Sequence, residues 1–212
     1  MLAEAFTLLV GVFLAALLFA DARDARRLAF FCKAAASLCF VLLSVSLHIQ
    51  VRGTFGALVF GGLVMAFGGD VALAVPGGRA FLVGLGLFLV GHLAYIAAFA
   101  AVVPPGGWLS PASAAPAIAT LIAYAVLSPK LGAMRGAVVA YMAAITVMVV
   151  AAMAARRAGH GHGNALLSGA LLFYVSDLSV ARDRFVARAF VNRAWGLPAY
   201  YAAQVLMAWA AR

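Results

Sequence analysis

The sequence has little charge. Charged residues occupy 10% of its 212 positions, and only six residues are acidic. Hydrophobic residues make up 67% of the chain, and the mean hydropathy is +1.10. A soluble domain of this length has too little interior to bury so much apolar surface. The composition therefore excludes an ordinary soluble domain and indicates an integral membrane protein.

The apolar runs also lack the alternation of apolar and polar residues that a transmembrane β-barrel needs. Since every backbone N–H and C=O in a bilayer must be hydrogen-bonded within the protein, helices remain. The only cysteines, Cys32 and Cys39, lie seven residues apart on one predicted helix. That separation is about 10 Å along a helix, too far for a disulfide.

We expect neither a metal nor a cofactor. His160 and His162 are separated only by Gly161 in a predicted loop, but no Cys, Asp or Glu lies near them in the sequence. A zinc site would need a third and a fourth ligand. An exposed flexible loop is therefore the better interpretation of this pair.

The number of long apolar runs predicts an all-α membrane bundle of about eight transmembrane helices, since one span needs about 20 apolar residues. No linker is long enough to separate two domains, so residues 1–212 are expected to form a single domain. The predicted spans are residues 4–20, 28–47, 54–75, 80–102, 112–128, 136–155, 164–181 and 194–211.

The basic residues predict the orientation. The net charge is +9, but the basic residues are scattered between apolar runs, which argues against nucleic acid as a partner. Loops after the first, third, fifth and seventh spans hold ten Lys and Arg residues, against four on the opposite side. Because cytoplasmic loops carry more positive charge, the first side is predicted to be cytoplasmic, with both termini outside.

Polar side chains recur at one depth. Lys33 follows Arg27 by six residues, Asp70 precedes Pro76 by six, and Asp177 precedes Arg182 by five. Each is therefore about 8–9 Å inside the cytoplasmic end of its helix. Tyr200 and Tyr201 reach a similar depth on the last span. Ionisable residues within a membrane are costly and commonly functional, so this layer is the predicted site.

Helical spacing extends this layer into stripes that are expected to line a cavity open to one leaflet. The stripes comprise Lys33, Ser37, Ser44 and His48 on the second span, Phe81, Phe88, His92, Tyr95 and Phe99 on the fourth, and Tyr201 and Gln204 on the eighth.

Structural interpretations of the same residues remain open. Lys33 and Asp70 could form an ion pair that only fixes helix register, or Lys33 could extend to the headgroups. Arg182 could reach back to Asp177. His92 and Tyr95 are about as well explained as buried core residues.

Four segments follow one another along the chain: Gly69-Asp70-Val71-Ala72-Leu73, Gly91-His92-Leu93-Ala94-Tyr95 with Phe99, Gly169-Ala170-Leu171-Leu172-Phe173 leading to Ser176-Asp177, and Tyr200-Tyr201-Ala202-Ala203-Gln204. Together they resemble the YhhN-like lysoplasmalogenase family. Lys33 also fits, whereas Ala34 stands where the family pattern has a proline. The resemblance covers nearly the whole chain in order.

The resemblance implies an eight-span hydrolase that cleaves the vinyl ether bond of lysoplasmalogens, with Asp70 and Asp177 as its catalytic pair. Lys33, His92, Tyr95, Ser176, Tyr200, Tyr201 and Gln204 are the expected supporting or substrate-binding residues. Two carboxyl groups in a shared apolar site would divide the acid and base roles and titrate as a pair.

The expected partners are a lysophospholipid and membrane lipids, and the expected location is a bacterial inner membrane. Two other functions remain open at this stage: a proton-coupled transporter, since buried ionisable residues also build proton relays, and a lipid-binding protein without turnover.

Overall fold

A computed structural model describes all residues 1–212 and contains eight α-helices and no strand. The helices are α1 (Leu2–Ala22), α2 (Arg26–Ser46), α3 (Gly53–Ala74), α4 (Gly78–Val102), α5 (Ala114–Leu127), α6 (Arg135–Arg157), α7 (Gly163–Phe185) and α8 (Phe190–Ala210). The prediction of an all-α bundle of about eight helices is confirmed.

Seven helical segments are long and apolar enough to cross a membrane. The segment containing α5 qualifies only with the short 3₁₀ turns on either side, Pro111–Ser113 and Ser128–Lys130. Helix α8 is long enough but is not among the seven, and it contains the polar residues Asn192, Arg193 and Gln204. A polar helix in a membrane must face the bundle interior. Accordingly, Asn192 and Gln204 are fully buried.

The predicted ends agree with the observed ones to within about a helical turn. Helix α7 continues to Phe185, where Arg182 and Arg184 lie in its last turn and complement the helix dipole. Helix α8 begins at Phe190, and its N-terminal side is fixed because the Ala189 N–H donates to Asp183 Oδ1 at 3.0 Å.

The placement of His48 on the α2 stripe was wrong. Helix α2 ends at Ser46, and His48 is an exposed residue with φ 55°.

Glycine brings α3 and α4 into close contact. An added Cβ at Gly62 would lie 2.5 Å from the Tyr95 ring, and one at Gly69 would lie 2.7 Å from the Phe88 ring. Both rings are buried. Small residues allow such close approach between membrane helices. Gly91 belongs to the same contact, since its added Cβ would lie 3.2 Å from the Gly62 carbonyl oxygen. This packing fixes the two segments that carry Asp70, which follows Gly69, and His92, which follows Gly91.

Helix α8 closes the bundle by packing against α1, α2 and α7. Gly196 leaves room for Ser179 of α7, whose hydroxyl donates to the Asn192 carbonyl at 2.8 Å. On the other side, Arg193 binds Asp21 of α1 at 2.8 Å. Near the far end, Trp209 Nε1 donates to Thr7 at 3.0 Å. These contacts hold Tyr200 and Tyr201 against α2 and α3.

Candidate active site in the membrane

All eight helices contribute to one large cavity of about 1230 Å³. Its walls are largely apolar, with Leu17, Leu73 and Leu85 among the lining residues. Its mouth lies at the ends of α1, α3 and α7, where Pro76, Gly77 and several arginines line it. The cavity therefore combines an apolar interior with a basic opening. The expectation that the predicted stripes line it was wrong for most of their residues, since only Lys33, Phe81 and Phe88 do so.

Asp70 lies on the cavity wall with both carboxyl oxygens bound. Lys33 Nζ is 3.1 Å from Oδ1, while the hydroxyls of Ser37 and Tyr200 each lie 2.6 Å from Oδ2. Tyr201 extends this group, since its hydroxyl is 3.2 Å from Ser37 Oγ. The side chain of Asp70 is only 2% exposed.

The hydroxyl hydrogens have one arrangement that satisfies the carboxyl group. If Ser37 donates to Asp70, the Tyr201 hydroxyl can donate either to Ser37 Oγ or to the Lys33 carbonyl, each at 3.2 Å. Tyr200 donates independently. These three donors, one of them cationic, hold the Asp70 carboxyl group in place between α2 and α8.

Asp177 has fewer partners and is more accessible. Its Oδ2 accepts a hydrogen bond from Tyr141 at 3.1 Å and lies 3.5 Å from His92 Nε2. Its Oδ1 contacts no protein donor. The side chain is 17% exposed and lines the cavity. Asp177 is therefore the carboxyl group with an oxygen open to a bound molecule.

His92 faces Asp177 across a buried contact that is not a hydrogen bond. Its Nδ1 lies 2.7 Å from the Phe88 carbonyl, which can only accept, so Nδ1 carries a hydrogen. A neutral His92 then presents a bare Nε2 to Asp177 Oδ2. Two acceptors facing one another in a buried site are unfavourable unless one of them holds a proton. At 3.5 Å the two atoms are not hydrogen-bonded, and His92 Nε2 has no other partner.

The two carboxyl groups do not touch. No hydrogen bond or ion pair joins them; instead, aromatic rings stand between their partners. The Tyr200 ring, next to Asp70, packs on Phe173 at 5.5 Å, and Phe173 packs on the His92 ring at 4.5 Å. Asp70 and Asp177 open onto one cavity but have separate hydrogen-bond partners. The two carboxyl groups were expected to titrate as a pair, but the structure shows no direct contact between them that would couple their protonation.

The predicted site residues divide into two groups. Five line the cavity: Lys33, Asp70, Ser176, Asp177 and Tyr200. Four are buried behind its wall: His92, Tyr95, Tyr201 and Gln204. Of the latter, Tyr95 donates to Gln204 Oε1 at 2.8 Å, which joins α4 to α8. Gln204 Nε2 has no partner.

The structure also tests the alternative partners considered for Lys33 and Arg182. Lys33 does pair with Asp70 and does not extend to the headgroups. Arg182 does not reach Asp177; its guanidinium binds the Asn192 side chain instead.

Two residues of the site were not among those predicted. Ser37 was placed on the α2 stripe but was given no role, and Tyr141 of α6 was not noticed. Tyr141 follows Arg135 by six residues, which puts it about 9 Å inside its helix, at the depth used for the other residues. The same depth criterion, applied to α6, would have found it.

No three of the His, Cys, Asp and Glu side chains come together in a way that could hold a metal ion. The polar groups of the cavity are carboxyl, hydroxyl, ammonium and guanidinium groups. They suit proton transfer and anion binding.

Fold and site together define a multi-pass membrane protein with two buried carboxyl groups facing a lipid-sized cavity. The chain belongs to the YhhN family, which it matches over residues 28–211. This confirms the family resemblance found in the sequence.

Similar proteins include two curated relatives. The lysoplasmalogenase TMEM86A of Bos taurus is 34% identical over 176 residues, covering 81% of this chain and 72% of the relative. The lysoplasmalogenase TMEM86A of Homo sapiens is 31% identical over 180 residues, with the same coverage. No solved structure matches the chain. Relatives named as enzymes do not favour the transporter or the non-catalytic lipid-binding protein.

Proposed function

We propose that this protein is a membrane hydrolase that cleaves the vinyl ether bond of lysoplasmalogens, releasing a fatty aldehyde and a glycerophospho-headgroup. One observation carries the proposal. Asp177, whose Oδ2 faces His92 Nε2 at 3.5 Å, has its other carboxyl oxygen open to a largely apolar cavity of about 1230 Å³. The names of the two relatives give the substrate class.

The first step needs an acid within the membrane. In the proposed mechanism, the protonated carboxyl group of Asp177 gives its proton from Oδ1, the oxygen open to the cavity, to the β-carbon of the vinyl ether. The electrons of the double bond form the new C–H bond, and the ether-bearing carbon becomes an oxocarbenium ion. Asp177 is left as a carboxylate beside this cation and stabilises it. Such charge stabilisation is strong in a site with little water.

The second step consumes water. A water molecule entering from the mouth bonds to the oxocarbenium carbon and gives a proton to Asp177, which restores the acid. The hemiacetal then collapses: the bond from carbon to the glycerol oxygen breaks, the hydroxyl proton leaves, and the glycerol oxygen gains a proton. The products are the aldehyde and the headgroup alcohol, and the net reaction consumes one water.

Asp70 serves a different role in this proposal. Its carboxyl group is paired with Lys33 and fixed by Ser37 and Tyr200, and we assign it no proton transfer. Its role is to hold carboxyl oxygens on the cavity wall, where their partial negative charge stabilises the developing cation. Two carboxyl groups in different environments commonly divide roles in this way.

The remaining residues support these two groups. Tyr141 fixes Asp177 Oδ2, which leaves Oδ1 toward the cavity, and Ser176 lines the wall beside it. Tyr201 supports Ser37, while Tyr95 and Gln204 hold α4 and α8 together behind the site. The apolar walls would hold the alkenyl chain.

We further propose that the cavity opens to the cytoplasm, that both termini lie outside, and that the protein resides in a bacterial inner membrane. The greater number of basic residues at the mouth end supports this orientation.

The proposed activity is tested by incubating the purified protein with an alkenyl lysolipid, and in parallel with the saturated alkyl-ether lysolipid, and measuring released aldehyde. Aldehyde is expected from the vinyl ether alone. In D₂O the aldehyde should carry one deuterium on the carbon next to the carbonyl, because that carbon receives the proton. Absence of aldehyde from folded, monodisperse protein would refute the proposed substrate.

A further inference from the structure

Six basic side chains line the cavity, and three of them have no acidic partner. Lys33 is paired with Asp70, Arg193 with Asp21 and Arg26 with Asp24. The three cations without an ion pair are Arg27, Arg184 and Arg188. Arg27 and Arg188 form no hydrogen bond either, and Arg184 only covers the face of the Phe81 ring at 4.4 Å.

These three arginines lie at the mouth. Arg27 is in the first turn of α2, Arg184 is in the last turn of α7, and Arg188 lies in the segment that joins α7 to α8. All three are exposed. The apolar part of the cavity lies further in, so an amphipathic molecule with an anionic end would enter with that end at the arginines.

The distance from the cavity mouth to Asp177 is similar to the distance from the phosphorus to the vinyl ether β-carbon in a lysoplasmalogen. Arg184 follows Asp177 by seven residues on α7, a rise of about 10 Å. In a glycerophospholipid with a vinyl ether at the end carbon of glycerol, seven bonds separate phosphorus from the β-carbon. At the ~1.2 Å per bond of an extended chain, these span about 8 Å. A flexible arginine side chain accommodates the difference.

We propose that Arg27, Arg184 and Arg188 form a subsite for the phosphate of a lysophospholipid, placing its vinyl ether beside Asp177. This rests on the proposed function for the identity of the reacting bond, but phosphate recognition is separate from hydrolysis. Guanidinium groups suit phosphate oxygens because their N–H groups can bind two oxygens at once. Lys33, whose charge is taken up by Asp70, is not part of the subsite.

Binding can be measured without turnover. The probe is a 1-O-alkyl lysophosphoethanolamine, which has no vinyl ether to cleave. Its affinity for the purified protein is compared with that of the matching 1-O-alkylglycerol, which lacks the phosphate, and competition by inorganic phosphate is measured. The variants are Arg27→Gln, Arg184→Gln and Arg188→Gln. Arg79→Gln is the matched control, since Arg79 is exposed at the same end but does not line the cavity.

Each of the three substitutions should weaken binding of the phospholipid roughly tenfold, the size of a lost charged hydrogen bond. Binding of the alkylglycerol and the control variant should be unchanged. Equal effects on both ligands, or no effect on either, would overturn the subsite. Competition by inorganic phosphate as strong as that by the lysolipid would show a free-phosphate site and overturn the lipid assignment. Because the probe cannot be cleaved, failure of the hydrolase proposal leaves these outcomes unaffected.

Discussion

At the scale of single residues, the site depends on how two identical side chains differ. Asp70 has three donors and is almost fully buried, whereas Asp177 has one hydroxyl donor, one histidine neighbour and an open oxygen. The sequence predicted both carboxyl groups and their common depth. It did not predict their partners, because those depend on how neighbouring helices are rotated and which of them meet.

The ion pair of Asp70 and Lys33 can be tested by double substitution. Asp70→Asn alone leaves Lys33 as an unpaired charge in the membrane, which should lower stability by about 3–5 kcal/mol. Adding Lys33→Met should recover most of that loss in thermal unfolding in detergent. The double variant should still be slow in aldehyde release, since the carboxyl oxygens of Asp70 are gone from the cavity wall. Recovery of both stability and activity would show that the pair is only structural.

Tyr141 is expected to act through Asp177. Tyr141→Phe removes the O–H that fixes Oδ2 and should lower kcat about tenfold, the size of a hydrogen bond to a charged group. KM should change little because the lipid-binding walls are intact. Tyr124→Phe is the control, since Tyr124 does not line the cavity. An unchanged kcat for Tyr141→Phe would remove Tyr141 from the mechanism.

At the scale of helices, the spans were predictable because a bilayer demands long apolar helices with polar breaks between them. Which helices pack against each other was not predictable from the apolar pattern. The α3–α4 contact depends on glycines at Gly62 and Gly69, and nothing in the apolar pattern says which ring lies over each of them. The placement of His48 failed for a similar reason, since periodicity does not reveal where a helix stops.

The close contact at Gly62 predicts a large difference between neighbouring substitutions. Gly62→Ala would place a methyl group against the buried Tyr95 ring and should destabilise the protein by about 1–3 kcal/mol. Tyr95 would also lose its hydrogen bond to Gln204. At Gly61 nothing lies within 4 Å of the added Cβ, so Gly61→Ala should be neutral or slightly stabilising. Thermal unfolding in detergent measures both, and equal melting temperatures would contradict the packing.

At the scale of the whole molecule, the cavity has one basic mouth, and its side of the membrane decides where substrate and water enter. In intact bacterial cells expressing the protein, a membrane-impermeant maleimide should label Gly161→Cys and not Arg79→Cys. Background should be low, because Cys32 and Cys39 are both buried. The reverse labelling pattern would place the mouth and its arginines outside.

The central claim is that Asp177 is the acid of a vinyl ether hydrolase. The most direct measurement is the rate of aldehyde release from an alkenyl lysolipid by the wild-type protein and by Asp177→Asn, with Glu4→Gln as an exposed carboxyl control. Loss of a general acid should slow Asp177→Asn by about 10²–10⁴ with its fold retained, and leave Glu4→Gln unchanged. A folded Asp177→Asn protein that releases aldehyde at the wild-type rate would contradict the account.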